Sequence, residues 1–364
     1  MNKILLPHIL AFLLLAFFLG SSSPQVRADG LVFRPVDYKG SLNERSQEAI
    51  LIFHKSDKPG ESSQDMILKI AVEGEAKQFG WVVPLPGVPQ TGQEDGKLFE
   101  ELHKYVQARL AARGSATTPS FGSKFLGTDS KTDTQEVEVL SRETVGSFEV
   151  SIVQENHAGS LNKWLVENKY RPVVGGDKVI EWYRNKGYVF ACMRVSDVAL
   201  AKGKTAELHP LRFSFKTGGR DGIFFPMRLT GLQEELFDVN LYVFYDKWIN
   251  DRLSPFGFVH KGFTLRWRDY DSRQCKSNAG KLWSFPGKDP YLRPYAHFIP
   301  AVRETFSKLH SGKRYYLTNL FARGLKPADV LKWKDDLWLF PYYTNRNFVP
   351  YDAREGGVAE LGYR

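Results

Sequence analysis

The chain has 364 residues, of which 42% are hydrophobic and 14% aromatic, so it can bury a substantial core and does not have a disordered protein's composition. Its 50 basic and 41 acidic side chains give a formal net charge of +9, and its two cysteines exclude a disulfide-rich scaffold. Beyond residue 28 no stretch approaches roughly 18 consecutive apolar residues, so the sequence predicts no membrane span in the rest of the chain.

The first 28 residues have the features of a cleavable secretory signal peptide. Lys3 supplies the positive charge, and the apolar run over 9–19 is short for a stable bilayer anchor. Val26 and Ala28 place small or medium residues where signal peptidase needs them. We therefore expect cleavage after Ala28 and export to the periplasm or the extracellular medium. The alternative is an uncleaved N-terminal anchor.

The first part of the mature chain predicts β-strands. Two short apolar runs, 49–55 and 66–72, flank a turn rich in Pro, Gly and Ser and predict neighbouring strands. The next apolar segment, 79–89, predicts a strand that ends or follows a sheet edge by Pro84, because proline cannot donate a ladder hydrogen bond.

A helix and a long loop follow. Apolar residues at four-residue spacing predict an amphipathic helix over 97–112. The segment 113–133 is rich in Gly, Ser and Thr without apolar periodicity, which predicts a flexible surface loop. Strands are expected at 136–141 and at 147–154, where apolar and polar residues alternate.

Two helices and a second set of strands complete the pattern. The first helix, 160–168, is expected to begin at a serine cap, and the second starts at Asp177 and stops at Gly187. The later elements are strands at 188–195, 211–215, 223–229, 239–245 and 314–321, and a helix at 298–309.

This order of elements predicts an α+β fold, with a mixed α/β fold as the alternative, built on a largely antiparallel or mixed sheet with a few amphipathic helices. The texture of the sequence changes near residue 246, where short aromatic and basic pieces begin. We therefore divide the mature chain into an α+β domain at 29–245 and a basic, aromatic-rich region at 246–364. That region either stands alone or continues the same domain.

Several segments, taken in chain order, resemble a known bacterial family. They are FGWVVPLPGVP (79–89), LFEELHKY (98–105), VGSFEVSIVQENHAGSLNKWLVENKY (145–170), the strand at 188–195, PLRFSF (210–215), FFPMRLT (224–230) and YYLTNLFARG (315–324). Together they are similar to the exported family catalogued as domain of unknown function 2330, over about residues 31–345. The resemblance implies export and one collinear unit, and it implies no catalytic residues. Many members carry extra cysteines that are absent here, so no disulfide is transferred from them.

Common catalytic and metal-binding motifs are missing from the sequence. It lacks GxSxG, HExxH, the P-loop pattern and a GxGxxG after a strand. No two histidines of the mature chain have the i, i+3 or i, i+4 spacing of a helical metal pair. We therefore expect no metal and no cofactor, and leave open whether the protein is an enzyme.

One polar cluster follows a predicted strand, where a rigid sheet can position functional residues. It consists of Glu155, Asn156 and His157. These residues either contribute to an active site or cap the helix that begins near residue 160.

Cysteines and acidic doublets offer weaker candidates. Cys192 lies in an apolar strand and is expected to be buried, and it either pairs with Cys275 in one disulfide or stays unpaired. The acidic doublets at 234–235 and 335–336 are expected to be solvent-facing turn charges, because consecutive side chains point in different directions.

The charge of the chain is unevenly distributed. Residues 241–350 carry 19 basic and 9 acidic side chains, net +10, and five of the eight tryptophans. Cation–π contact and stacking could bind an anion or a sugar there, with Arg266, Trp267, Arg268 and Trp283 as the candidate ligand-binding residues. The alternative is that the tryptophans are core and the basic side chains form a solvated rim.

These observations favour a noncatalytic exported or envelope-associated protein that binds an anionic envelope polymer, a glycan or lipid headgroups. A secreted hydrolase with a nonlocal active site and a subunit of an envelope assembly are the alternatives. We expect no nucleic-acid partner, because an exported protein rarely meets nucleic acid and no recognised module is present. The oligomeric state is left open.

Overall fold

Two β-sheets face each other across a shared apolar core in the computed structural model of the chain. The structure describes residues 31–39, 42–43, 46–74, 78–111, 138–195, 205–220, 222–245, 249, 261–268, 283–285 and 313–340. The predicted signal peptide, the predicted loop at 113–133 and the predicted helix at 298–309 lie outside these residues.

The first sheet has five strands, and every pair in it is antiparallel. In spatial order they are β1 (Leu31–Phe33), β6 (Phe79–Leu85), β10 (Val189–Val195), β9 (Phe148–Gln154) and β8 (Glu138–Val145). β1 pairs with β6 only as far as Val82. Within the described residues β6 therefore follows an edge of the sheet at Pro84, as the sequence predicts.

The second sheet has eight strands and is mixed. Its path is β15 (Thr264–Arg268), β17 (Lys313–Leu325), β14 (Phe237–Tyr245), β3 (Ser46–His54), β4 (Ser63–Lys69), β12 (Leu211–Lys216) and β7 (Gln90–Gln93), and β16 (Trp283–Phe285) also pairs with β17. β3 and β14 are parallel, and the other pairs are antiparallel. Strands from both sides of residue 246 share this sheet.

Two small sheets and four helices complete the described part of the chain. The small sheets are β2 (Leu42–Asn43) with β5 (Ala71–Gly74) and β11 (Thr205–Glu207), and β13 (Ile223–Phe225) with β18 (Leu337–Leu339). The helices are α1 (Lys97–Ala111), α2 (Ser160–Glu167), α3 (Asp177–Asn185) and α4 (Pro327–Val330). The fold is α+β, as predicted. None of these helices is long and apolar enough to cross a membrane.

The apolar run that forms β3 explains why the eight-stranded sheet is covered on both faces. Ala49, Leu51 and Phe53 belong to the core between the sheets, whereas Ile50 and Ile52 belong to a second apolar cluster. The helix α1 supplies the other half of that cluster, from Leu98, Phe99, Leu102, Tyr105 and Val106. Successive strand residues point to opposite faces, so an unbroken apolar run fits a strand between two layers.

The outer face of the five-stranded sheet is covered by the segment that carries α2 and α3. A β-carbon at Gly80 would lie 3.3 Å from the Tyr170 ring, and the Tyr170 hydroxyl donates to the carbonyl of Phe79 at 3.3 Å. Tyr183 meets Phe190 edge to face, with ring centroids 5.9 Å apart. The molecule is therefore layered in the order helices, sheet, sheet, helix.

Two sequence predictions differ from the structure in this region. The strand predicted over 223–229 ends at Phe225 because Pro226 follows, and a 3-10 turn forms at Thr230–Leu232. The predicted serine cap of α2 is wrong: Gly159 is the N-cap residue, and no side chain of the cap residue bonds to the helix. The Glu155 carboxylate accepts the Leu161 N–H instead, at 3.1 Å.

Candidate functional site

Cationic and tryptophan side chains from distant parts of the chain meet beside the end of α3. We name this group the tryptophan–cation cluster, and it consists of Trp182, Trp333, Trp338, Lys186, Arg220, Arg228 and Lys261 around Asp335 and Asp336.

The end of α3 is fixed by local chain geometry. Gly187 has φ of 70° and its N–H donates to the carbonyl of Arg184, while the Tyr188 N–H donates to the carbonyl of Tyr183. This left-handed glycine stop is the one predicted from the sequence. It sets the last turn of α3, which carries Trp182, Tyr183 and the cap residue Lys186.

Asp336 is the buried centre of the cluster, with none of its surface exposed. Its Oδ1 accepts hydrogen bonds from the Tyr183 hydroxyl at 2.9 Å and from the N–H groups of Met227 and Arg228 at 2.8 Å each. Its Oδ2 has no hydrogen-bond partner among the described residues. The predicted solvent-facing role is wrong for Asp336, because its donors come from segments more than 100 residues away in sequence.

Burial controls the ionisation of this centre. Desolvation is the largest effect on Asp336, and together with the neighbouring charge of Asp335 it raises the pKa from 3.8 to about 6, against three hydrogen bonds that lower it. Desolvation also raises the pKa of Tyr183 well above 10, and the charge of Asp336 adds to this increase. Tyr183 is therefore a neutral donor that holds the carboxyl group in place.

Asp335 contacts three of the four cations of the cluster. Its Oδ2 lies 3.1 Å from Nη1 of Arg220 and 3.6 Å from Nζ of Lys186. Its Oδ1 accepts the N–H of Asp336 at 2.9 Å. Nζ of Lys261 donates to the main-chain oxygens of Asp335 and Asp336, at 3.1 and 2.6 Å.

Each cation also lies over an indole ring, at 4.5 to 4.7 Å from its centroid. Lys186 and Arg228 contact Trp182, Arg220 contacts Trp338, and Lys261 contacts Trp333. The tryptophan faces are thus engaged by the protein's own cations, which favours recognition by charge over stacking on a sugar. The two cations that contact a carboxylate within the described residues of the cluster, Lys186 and Arg220, both contact that of Asp335.

The residues proposed from the sequence lie in another part of the fold. Arg266 lies over the Phe321 ring at 5.0 Å. Trp267 and Arg268 are on β15 and Trp283 is on β16, and their side chains are outside the described residues. Both strands pair with β17, with Trp267 opposite Asn319 and Trp283 opposite Tyr315. Both strands therefore share β17 as a neighbour, and the positions opposite these two tryptophans are about 13 Å apart along β17.

In the polar cluster at 155–157, Glu155 makes contacts that stabilise the fold. Glu155 is 3% exposed, and besides capping α2 its carboxylate accepts from Nη1 of Arg184 at 3.0 Å. Asn156 and His157 are exposed, and the His157 ring has no hydrogen bond to another described residue. The described residues therefore place no hydroxyl or carboxylate partner on the His157 ring, and they assemble no acid–base pair around it.

The cysteine and metal predictions have different outcomes. Cys192 is 1% exposed on β10, and burial raises the pKa of its thiol well above the usual range. Cys275 lies outside the described residues, so the pairing of the two cysteines stays a prediction.

Glu234 and Glu235 are exposed, as predicted. In the part of the chain that the structure describes, no three His, Cys, Asp or Glu side chains are grouped to hold a metal ion.

A second polar group, which the sequence analysis did not identify, crosses the α1 face of the eight-stranded sheet. We call it the sheet relay, and it consists of Tyr315, His54, Asp65, Ser214, Arg212 and Glu94. Asp65 accepts from the Ser214 hydroxyl and lies 2.8 Å from Nε2 of His54, so the carboxylate stands between the serine and the histidine. A serine nucleophile needs the histidine in the middle, so this order does not activate Ser214.

Comparison with solved structures gives a match of low similarity. The chain aligns with the crystal structure of baculovirus P35 over 81% of this chain and 94% of that chain, with a TM-score of 0.35 and 11% identity, which supports no argument about fold or function. No curated protein matches the chain.

A family model covers the middle of the chain. Residues 52–267 match the model described as "Uncharacterized protein conserved in bacteria (DUF2330)". The matched range is more than half of the chain and contains all four cations of the cluster, whereas Asp335 and Asp336 lie beyond it. The chain therefore belongs to the DUF2330 family of uncharacterized proteins conserved in bacteria.

Proposed function

We propose that the protein is a noncatalytic binding protein for an anionic ligand and that the tryptophan–cation cluster is its binding site. The observation that carries this proposal is the convergence of four cationic side chains in one cluster. Lys186 and Arg220 both contact the Asp335 carboxylate, while Arg228 and Lys261 lie over the neighbouring indole rings.

The cluster lies partly out of solvent, which strengthens its interaction with an anion. The side chains of Lys186 and Arg220 are 22% and 9% exposed. Charges in such positions are screened less by salt than fully exposed charges are. Fixed guanidinium and ammonium donors suit the phosphate, carboxylate or sulfate groups of an envelope polymer, and such groups are the ligands that we propose.

Export supports the choice of an envelope ligand. The basic and apolar regions at the N-terminus and the small residues at 26 and 28 favour removal of residues 1–28. An exported protein meets acidic polymers and lipid headgroups of the envelope, and the net positive charge of the chain would attract them.

Removing two cations of the cluster should weaken binding to anionic matrices. We expect the mature chain to be retained on heparin, peptidoglycan or vesicles containing an anionic lipid at low salt and to be released at high salt. The double variant Lys186→Gln and Lys261→Gln should elute at clearly lower salt. The measurement is the salt concentration at half elution from each matrix.

A double variant with the same change in net charge is the control. Lys104→Gln and Lys163→Gln replace lysines that are 52% and 54% exposed on α1 and α2, away from the cluster. Equal shifts in both double variants would show that only total charge matters. Salt-insensitive behaviour of the wild-type chain on all three matrices would remove the proposal.

Cleavage of the predicted signal peptide can be tested separately. Expression of the full chain in a bacterium with a general secretion pathway should deliver a protein whose N-terminus is Asp29 to the periplasm or the medium. N-terminal sequencing of the fractionated protein measures this. Replacing Ala28 with a bulky residue should block cleavage, and an unprocessed wild-type chain in the cytoplasm would contradict export.

A further inference from the structure

We propose that Asp335 is an internal competitor for the anionic ligand: its carboxylate occupies the position that the ligand's anionic group takes in the tryptophan–cation cluster. This inference rests on the proposed function and concerns the regulation of the same site. Arg220 and Lys186 converge on a single oxygen, Oδ2 of Asp335, at 3.1 and 3.6 Å. An incoming oxyanion needs these same donors.

The two carboxylates of the cluster differ in access. Asp336 is fully buried, and its Oδ1 accepts three hydrogen bonds from Tyr183 and the backbone of 227–228. The side chain of Asp335 is 13% exposed. A ligand that approaches from solvent therefore meets Asp335, whereas Asp336 stays part of the framework.

The side chain and the backbone of Asp335 are held by separate contacts. Its Oδ1 accepts a hydrogen bond from the N–H of the next residue. Its Oδ2 accepts a hydrogen bond from Arg220 and forms an ion pair with Lys186. The backbone is held separately, because Nζ of Lys261 binds the main-chain oxygens of 335 and 336. Rotation of the side chain would release Arg220 and Lys186 without unfolding the start of β18.

A tethered carboxylate is an effective competitor because its local concentration is high. Groups tethered by a short linker compete at millimolar effective concentration, so a weak internal contact can mask the site from a weak ligand. Multivalent polymers overcome such competition more easily than single ions do, since they engage several cations at once. The arrangement therefore favours polymeric anions over free ones.

Removing the competing charge should strengthen binding. Asp335→Asn keeps an oxygen for the N–H of residue 336 and removes the charge that Arg220 and Lys186 share. We expect the dissociation constant for heparin, measured by fluorescence titration, to fall by roughly tenfold, the equivalent of one charge-assisted contact. Asp335→Ala should act in the same direction and provides a second variant if the asparagine variant does not fold.

Asp329→Asn is the matched control, because it makes the same change in net charge six residues away. Asp329 is exposed and pairs with Lys332 at 2.8 Å, outside the cluster. Its variant should change the dissociation constant little. Equal effects of Asp329→Asn and Asp335→Asn would overturn the inference, since both would then reflect total charge.

A double-mutant cycle tests the shared donor directly. In the Lys186→Gln background the gain from Asp335→Asn should shrink, because one of the two contested cations is already gone. An undiminished gain would count against competition. If the wild-type chain and all variants fail to bind heparin, the proposed function itself fails; if the wild type binds and Asp335→Asn brings no gain, only this inference fails.

Discussion

Replacing Asp65 with alanine is expected to lower the free energy of unfolding by about 3 to 5 kcal/mol, the cost of removing one partner from a pair of largely buried ionisable groups. The Asp65 side chain is 6% exposed and lies at the centre of the sheet relay. Its Oδ2 is 2.8 Å from Nε2 of His54, and its Oδ1 accepts from the Ser214 hydroxyl. Alanine would leave the half-buried His54 and Ser214 without that acceptor.

The cost should depend on what replaces the carboxylate. His54 also meets the Tyr315 hydroxyl through Nδ1, at 3.1 Å, so its ring can exchange donor and acceptor roles by changing tautomer. Asp65→Asn offers an oxygen to Ser214 and a donor to His54. If His54 is neutral, asparagine at position 65 should recover most of the stability that alanine loses. If His54 is protonated and pairs with a charged Asp65, asparagine should recover little of it.

Urea denaturation followed by tryptophan fluorescence measures both variants. The matched control is Glu61→Ala, which removes the partner of Lys216 from an ion pair at 2.9 Å on the same sheet. The two side chains are 49% and 62% exposed, so this change should cost less than about 1 kcal/mol. A similar small cost for Asp65→Ala would mean that the sheet relay does not stabilise the sheet.

Local patterns in the sequence predicted most of the secondary structure. The helix at Lys97–Ala111 follows from its four-residue spacing, and the stop at Gly187 follows from a glycine after an amphipathic stretch. These signals involve residues within one or two turns of each other. They do not depend on which other segment the element contacts.

Both polar groups depend on partners that local patterns cannot supply. Asp336 is 153 residues from Tyr183, and His54 is 261 residues from Tyr315. Without an alignment, nothing in the spacing of an acidic doublet distinguishes a buried acceptor from a pair of surface charges. The enrichment of tryptophan in 241–350 did indicate part of the cluster, because Trp333 and Trp338 belong to it. Trp182 and three of the four cations lie before residue 241, and no local pattern links them to these tryptophans.

Asp336 should make stability depend on pH in the direction opposite to an ordinary salt-bridged carboxylate. Burial raises its folded-state pKa from 3.8 to about 6, so between these values the folded state binds more protons than the unfolded state. The contribution of this group to stability is fully present below pH 3.8 and is lost as the pH rises to about 6. Asp336→Asn removes this titration and keeps an oxygen for the donors of Tyr183, Met227 and Arg228.

The stability of Asp336→Asn relative to wild type should therefore increase by about 2 kcal/mol from pH 4 to pH 7. Urea denaturation of both proteins across this range gives the difference directly. Burial also lowers the pKa of His209, but His209 is present in both proteins and cancels in the comparison. A difference that does not change with pH would mean that Asp336 ionises as it does in the unfolded chain. An increase would identify a folded state that carries a buried carboxylate at a cost near neutral pH, in the position where Asp336 holds the backbone of 227–228 through its hydrogen bonds.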